Sequence, residues 1–515
     1  MKTKVQICDC TLRDGGYYTD WDFDMELTKL YLKTMNDTPA ITHIEIGYRS
    51  KLQDEYLGEY FYCPEHILAL AKQLCPKKEI AVMLNEKNTK IEDVKDLLAP
   101  YKNYIDVIRT AVAPANLMRA VKLAEVLKKT GFKVAFNLMY MSKWIRDNSF
   151  LDQLKCLDGK VDYVYMVDSF GGVYPEDVKE ALKNIKRRIN LPVGFHGHNN
   201  MELALANTLT AIENGCDIVD STITGMGRGA GNLRTELLLT CLNSKNIAAV
   251  DYNKFYPILN EFEKLQKKFS WGTSLPYMIS GAYSLPQKDV MSWISKKRYT
   301  TDSIINALQN RKNNLEDNFT AQKLENEPKA RKVVIVGGGT SVNDHAHALE
   351  LFCKNNNDLV LIHAGTRHVS KFANLSNRQY YCLLGAEGYK LKKSLGCLDL
   401  KNVKCIIEPS PRPMGTILPE QVLNTTYELP KISFINDYPD SLLTIAFQLS
   451  IELHASEVHL FGFDGYDVKT DDQMIEVSSE NQLLIDTFID SGINLTSLIP
   501  TKYNNINVKS IYALI

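Results

Sequence analysis

Short apolar runs rich in β-branched residues recur from the start of the chain, each followed by a longer stretch with helical spacing, and the alternation repeats eight times. The predicted strands are residues 5–11, 43–47, 79–84, 107–111, 133–139, 163–168, 193–198 and 218–223. The clearest helices between them are 114–129, 175–189 and 201–214. Such a rhythm predicts a parallel sheet of βα units. Eight units in about 245 residues predict a (β/α)8 TIM barrel, although the pattern alone also admits an open doubly wound sheet.

The rhythm then breaks and restarts. Residues 249–312 read as a helical extension, aromatic-rich around WGTSLPYMISGAYSLP, and the polar stretch 313–329 (NNLEDNFTAQKLENEPK) reads as a linker. From 330 onward KVVIVGGGTSVND, NDLVLIHAG and EVHLFGFDGYD predict a separate Rossmann-like α/β domain over 330–515, after a barrel over 1–248. With 515 residues the chain has room for both cores.

Composition narrows the function classes. Sixty basic side chains against sixty-one acidic ones leave a net charge of −1, which removes the electrostatic case for nucleic acid or an anionic membrane. Eleven cysteines without a C-x-x-C pair read as reduced thiols and predict a cytoplasmic protein. The start, MKTKVQICDCTLRDGG, lacks a leader-like apolar stretch, and no run approaches the roughly 18 apolar residues of a membrane span.

In a parallel barrel, chemistry sits where strands end. The first strand ends in Asp9-Cys10-Thr11-Leu12-Arg13-Asp14-Gly15-Gly16, an arginine beside a carboxylate, with glycines expected to let the backbone turn sharply. The seventh ends in His196-Gly197-His198, whose imidazoles share a face because side chains alternate along a strand. Two histidines and Asp14 would leave open positions on a divalent metal for substrate oxygens. Asn232, in the glycine loop GMGRGAGN after the eighth strand, is a further candidate ligand; the alternative is a loop whose glycines simply permit positive φ. Ser169 is a candidate for binding a substrate carboxylate, with turn formation an equal account. Glu45 and Arg109 lie on the second and fourth strands, where an internal ion pair competes with catalytic and substrate-binding roles. His345 and His347 fall in a predicted helix, where residues two apart diverge, and read as surface or packing groups. A Schiff-base aldolase needs a lysine at a strand end; Lys133 stands at a strand start instead.

The CTLRDG segment, the H-x-H of the seventh strand with NNMELALANTLTAIENGCDIVDSTITGMGRGAGN behind it, and DS-x-G-x-x-x-P in the sixth unit together resemble the DRE-TIM metallolyases. The resemblance covers residues 1 to about 310, and the glycine loop is most similar to the 4-hydroxy-2-oxovalerate aldolase branch. It implies a divalent-metal aldolase forming or cleaving a bond between pyruvate enolate and an aldehyde. Mn2+ is the first expectation, with Mg2+, Co2+ or Zn2+ as alternatives, and a homo-oligomer is implied. Arg13 would stabilise the enolate oxygen. In that branch a histidine three residues after the metal aspartate moves the proton; Tyr17 stands there and becomes the candidate acid/base. Gly227-Arg228-Gly229 replaces the cysteine of HMG-CoA lyases, and Gly16-Tyr17 replaces the Glu-Gln of Claisen synthases. A Claisen-type acyltransferase, or a metal-binding scaffold without catalysis, are the alternatives. In the C-terminal domain, Gly337, Gly339, Ser341 and Asp464 distantly resemble Rossmann-like sites of sialyltransferase and pterin-pyrophosphokinase-like type, implying a nucleotide or nucleotide-sugar ligand.

Overall fold

The structure, a computed structural model, describes residues 5–317, 319–466 and 472–515. It divides into two compact units, Met1–Met291 and Ser292–Ile515. Among the described residues no helix is long and apolar enough to cross a membrane.

The first unit is a closed parallel barrel whose strands neighbour one another in sequence order. They are β1 Gln6–Asp9, β2 Ile41–Tyr48, β3 Glu79–Asn85, β4 Val107–Val112, β5 Lys133–Leu138, β6 Tyr163–Asp168, β7 Val193–Gly197 and β8 Ile218–Ser221. Closure comes from β1 pairing with β8, Ile7 opposite Val219 and Asp9 opposite Ser221. The open-sheet alternative is thereby removed for this unit. The helices follow from their spacing: in Leu117–Lys129 the buried residues Leu117, Ala120, Val121, Ala124 and Leu127 share one stripe, and Gly131 (φ +95) lies just beyond the end. Inside the barrel Cys8, Ala81, Val107, Ala135, Tyr165, Val167 and Ile218 form a packed plug, so polar groups collect above it, at the C-terminal mouth.

One expectation is corrected at the end of β1. Residues Thr11–Thr19 form a helix, α1, and not a sharp glycine turn. The glycines serve close approach: a Cβ on Gly16 would lie 2.2 Å from the Trp21 ring, and one on Gly15 2.5 Å from Met226 Sδ. Asp9 anchors the entry, its buried carboxylate accepting from Thr11 N at 3.0 Å and from the hydroxyls of Tyr31 and Thr235 at 2.6 Å each. Arg13 and Asp14 thus leave α1 facing the barrel mouth.

The second unit holds an open parallel sheet, in the order β17-β16-β15-β10-β11-β12-β13-β14-β9 among the described residues. Its strands are β9 Gln322–Lys323, β10 Lys332–Val336, β11 Val360–His363, β12 Gln379–Cys382, β13 Lys404–Ile407, β14 Thr426–Glu428, β15 Glu457–Phe461, β16 Asn494–Ser497 and β17 Asn507–Val508. The segment read as a linker supplies β9 at one edge, and helix Thr301–Lys312 lies within this unit. Helix α2, Ser341–Asn355, carries His345 and His347 apart: the first bonds Tyr512 and the second faces Glu350.

Glu408 follows β13 and is buried, with no partner for Oε2 among the described residues. Burial pushes its carboxyl up to about 8, against an ordinary value near 4.5. Between those values the folded chain keeps a proton that the unfolded chain has released. Stability is therefore lost as pH rises through the window, by up to ~1.4 kcal/mol per pH unit. Glu408→Gln is expected to flatten Tm against pH in this range and to raise Tm at pH 8; a calorimetric profile unchanged from the parent would contradict it.

Candidate metal centre in the barrel mouth

Six charged or ionisable side chains from four strands and α1 close a ring above the plug. Arg13 reaches Asp14 with Nη1 and Glu45 Oε2 with Nε, at 2.8 Å in the latter case. Arg109 donates to the same Glu45 oxygen at 3.1 Å and to Asp220 Oδ2. Asp220 Oδ2 also lies 2.8 Å from His196 Nδ1, and His196 Nε2 lies 3.5 Å from Asp14 Oδ2, closing the circuit. All six are buried. Two guanidinium groups against three carboxylates leave one formal negative charge, before any bound ion is counted.

The histidine orientations follow from their second nitrogens. His198 Nδ1 lies 2.8 Å from the carbonyl of Asp168, which can only accept, so Nδ1 carries the proton and Nε2 offers its lone pair. Burial, with His196 close by, lowers the His198 pKa to about 3 and keeps that lone pair available. Asp220 gives His196 the same arrangement, the carboxylate–histidine pairing found behind metal ligands. Burial opposes ionisation of Asp14, but Arg13 and the two histidines hold its carboxyl below the usual range.

The loop after β8 completes the arrangement. Gly225, Gly229 and Gly231 all take positive φ, so the chain folds back and Asn232 bridges to His198. Asn232 Nδ2 donates to Asp14 Oδ2 at 2.6 Å, while its Oδ1 is buried without a partner among the described residues. Cys10, Asp14 and His196 offer ligand atoms within 4.8 Å of one another. Burial pushes the Cys10 thiol well up, which leaves it a protonated neighbour. An unfilled carboxamide oxygen, two imidazole lone pairs, an ionised carboxylate and a residual negative charge fit a divalent cation.

A cavity of about 190 Å³ opens beside this centre, lined among others by Arg13, Asp14, Tyr17, Tyr48, His196 and His198. Other anticipated residues stand back from it. Glu45 and Arg109 are consumed in the ring, Arg109 also stacking on Tyr165. Ser169 Oγ accepts from Tyr140 N at 2.7 Å and does not line the cavity. Lys133 pairs with Glu79 at the opposite end of the strand. Several lining groups were missed. Tyr48 ends β2 with its hydroxyl 3.3 Å from that of Tyr17. Arg228 lies over the Tyr17 ring, 5.5 Å from its centroid, and Lys87 follows β3. Asn137 presents a buried Oδ1 without a partner among the described residues. Asp220 was missed as well; a carboxylate inside the apolar run DIVDSTIT was the available signal.

The segment Trp271 to Gln287 braces this architecture. Trp271 Nε1 donates to Thr224 O at 3.2 Å, Asn200 Nδ2 donates to Tyr277 O at 2.9 Å, and Gln287 Nε2 donates to Asn200 Oδ1 at 2.8 Å.

Residues 4–260 match the HMGL-like family. A 4-hydroxy-2-oxovalerate aldolase of Carboxydothermus hydrogenoformans is 31% identical over 245 residues, 47% of this chain and 71% of the relative. An oxaloacetate decarboxylase of Mycobacterium tuberculosis is 28% identical over 252 residues, 48% of this chain and 74% of that protein. The crystal structure of the N-terminal domain of a candidate aldolase from Bacteroides vulgatus is 50% identical with a TM-score of 0.56, covering 59% of this chain and all of that one. The carboxyl transferase domain of Rhizobium etli pyruvate carboxylase, 16% identical with a TM-score of 0.50 over 60% of this chain and 56% of that one, shares the fold. The chain belongs to the HMGL-like family.

Asp220→Asn keeps the side-chain size but removes the charge that orients His196. It is expected to weaken Mn2+ binding by about 10–100-fold in an equilibrium titration; unchanged affinity would contradict the orienting role.

Proposed function

We propose that the barrel is a divalent-metal-dependent carbon–carbon lyase acting on a 4-hydroxy-2-oxo acid through a pyruvate enolate. The observation that carries the reading is a cavity lined by Arg13, Asp14, His196 and His198, with His196 Nε2 3.5 Å from Asp14 and the two imidazole rings 5.0 Å apart. The aldolase and decarboxylase names among the relatives support the same class. An ion held by Asp14, His196 and His198, with Asn232 beside them, would polarise the 2-oxo carbonyl.

The chain's own groups account for the remaining chemistry. Tyr17 lines the cavity and, as a phenolate, would take the proton of the substrate's 4-hydroxyl and later return it to C3. The C3–C4 bond then breaks, its electron pair passes to the C2–C3 enolate, and C4 departs as the aldehyde. Arg13, locked by Glu45 and Asp14, presents a fixed positive charge to the enolate oxygen without needing to reorganise. Burial and the neighbouring Tyr17 raise the Tyr48 pKa well above its ordinary value, so Tyr48 retains its proton and can donate it to Tyr17 in a hydrogen bond. Return of a proton to C3 yields pyruvate.

Arg228 and Lys87 set the substrate's charge. Both line the cavity, and neither has a carboxylate partner among the described residues, whereas Arg13 and Arg109 are ion-paired with carboxylates. Arg228 Nε is buried and has no partner among the described residues. An anionic substrate satisfies them.

Metal-dependent deuterium incorporation into the methyl group of pyruvate tests the reading directly. Exchange is expected in the parent and to fall about 10²–10³-fold in Arg13→Ala while metal content is kept. Consumption of acetyl-CoA with thiol release, in place of exchange, would favour the Claisen alternative. Metal binding without exchange would mark a scaffold. Arg228→Ala is expected to raise KM for a 4-hydroxy-2-oxo acid about tenfold or more with kcat little changed; an unchanged KM would remove Arg228 from substrate recognition.

A further inference from the structure

The second unit contains a larger cavity, about 700 Å³, at the C-terminal ends of its strands. Its place follows from topology. The chain runs from β10 through β11, β12 and β13 to β14 on one side, then returns to place β15 on the other side of β10. In an open parallel sheet that reversal opens a crevice between the loops leaving the two central strands, where ligands of such sheets bind. The loops after β10, β11, β12 and β15 all line the cavity, and each contributes glycine: Gly337 to Gly339, Gly365, Gly385, and Gly462 with Gly465.

These glycines separate by what a side chain would meet. A Cβ on Gly337 or Gly339 would lie 2.6 or 2.5 Å from the Gly462 carbonyl, so both are fixed by packing. Ser341 donates through N and Oγ to Asp464, which occupies the N-terminus of α2 as an internal anion. The residues anticipated for phosphate are therefore already engaged with one another. Gly338 is different. Its Cβ would meet nothing within 4 Å and its φ is one that other residues adopt, so the fold itself makes no demand for glycine there. Arg367 Nη1, at 3.1 Å, and His368 Nε2, at 3.4 Å, approach its carbonyl and fix the peptide.

Bare backbone and unpaired charge coincide on the β11 side. Gly365 also has open space at its Cβ, and the N–H groups of Gly338 and Gly365 donate to no group among the described residues. Arg367 is exposed, lines the cavity and has no carboxylate partner among the described residues, whereas the neighbouring Lys390 is paired with Glu387. On the β15 side the lining includes the ring of Tyr466, while Asp464 is held against the Gly339 turn by Ser341. The crevice thus offers amides and a guanidinium on the β11 side and an aromatic face for a planar ring on the β15 side.

We propose that this crevice is a second ligand site of the chain, taking an organic phosphate of nucleoside-diphosphate size with its phosphates on the Gly338 and Gly365 backbone beside Arg367. A cavity of this volume lies within the range of small-molecule sites, about 300–1,000 Å³. Calorimetric titration of the full chain with ADP, GDP, CDP and UDP, and separately with inorganic pyrophosphate, tests it. At least one nucleoside diphosphate is expected to saturate at one per chain, with a Kd at least about tenfold below that of pyrophosphate. Gly338→Val is expected to lose that binding while keeping the parental Tm, since its Cβ enters open space, and Arg367→Gln to weaken it about tenfold or more. Failure of all four nucleotides to bind, or binding undiminished in Gly338→Val, overturns the site. Pyrophosphate as tight as the best nucleotide overturns the assignment of the β15 end.

Discussion

The closed ring of buried charge in the barrel mouth is the constraint on which the rest of the first unit depends. Removing six such groups from water costs far more than any one pair returns, so each must be satisfied by the next. Arg13 holds Glu45, Glu45 holds Arg109, Arg109 holds Asp220, and Asp220 orients His196 toward Asp14. Because the members come from α1, β2, β4, β7 and β8, the ring forms only once the barrel closes. Folding and assembly of the centre are then one event, and the surplus negative charge prepares the site for a cation.

Much of this was legible in the chain. All eight barrel strands fall within a few residues of their expected places, because β-branched runs broken by helical spacing carry a strong local signal. His196 and His198 could be paired from strand periodicity alone. The CTLRDGG segment was misjudged because glycines suggest a turn locally, whereas here they admit Met226 and Trp21, the latter from just beyond the same helix and the former from over two hundred residues away. Asp220, Tyr48 and Lys87 carry no motif; their importance arises from where strands end and which face they present. Glu45 and Arg109 were recognised as unusual in strand interiors, but only the closed barrel shows them neutralising each other.

The two units apply one rule to different sheets. In both, strand ends gather at one edge and irregular backbone there makes a concavity that the regular elements cannot fill. In the barrel that concavity is furnished with side chains from facing strands. In the open sheet it is furnished with glycine-bearing loops together with charged side chains such as Arg298, Arg367 and Glu387.

The brace from Trp271 to Gln287 sets the extent of the smallest working piece. The carboxamide of Asn200, two residues past His198, is gripped from both sides by Tyr277 O and Gln287 Nε2, and Gly172 approaches the Gly281 carbonyl so closely that a Cβ would lie 2.1 Å away. A chain cut after the eighth βα unit would retain all four candidate ligands yet lose the clasp that keeps two of their loops in register. The natural seam for dissecting this protein therefore falls near residue 291, some forty residues beyond where the barrel's own repeat ends.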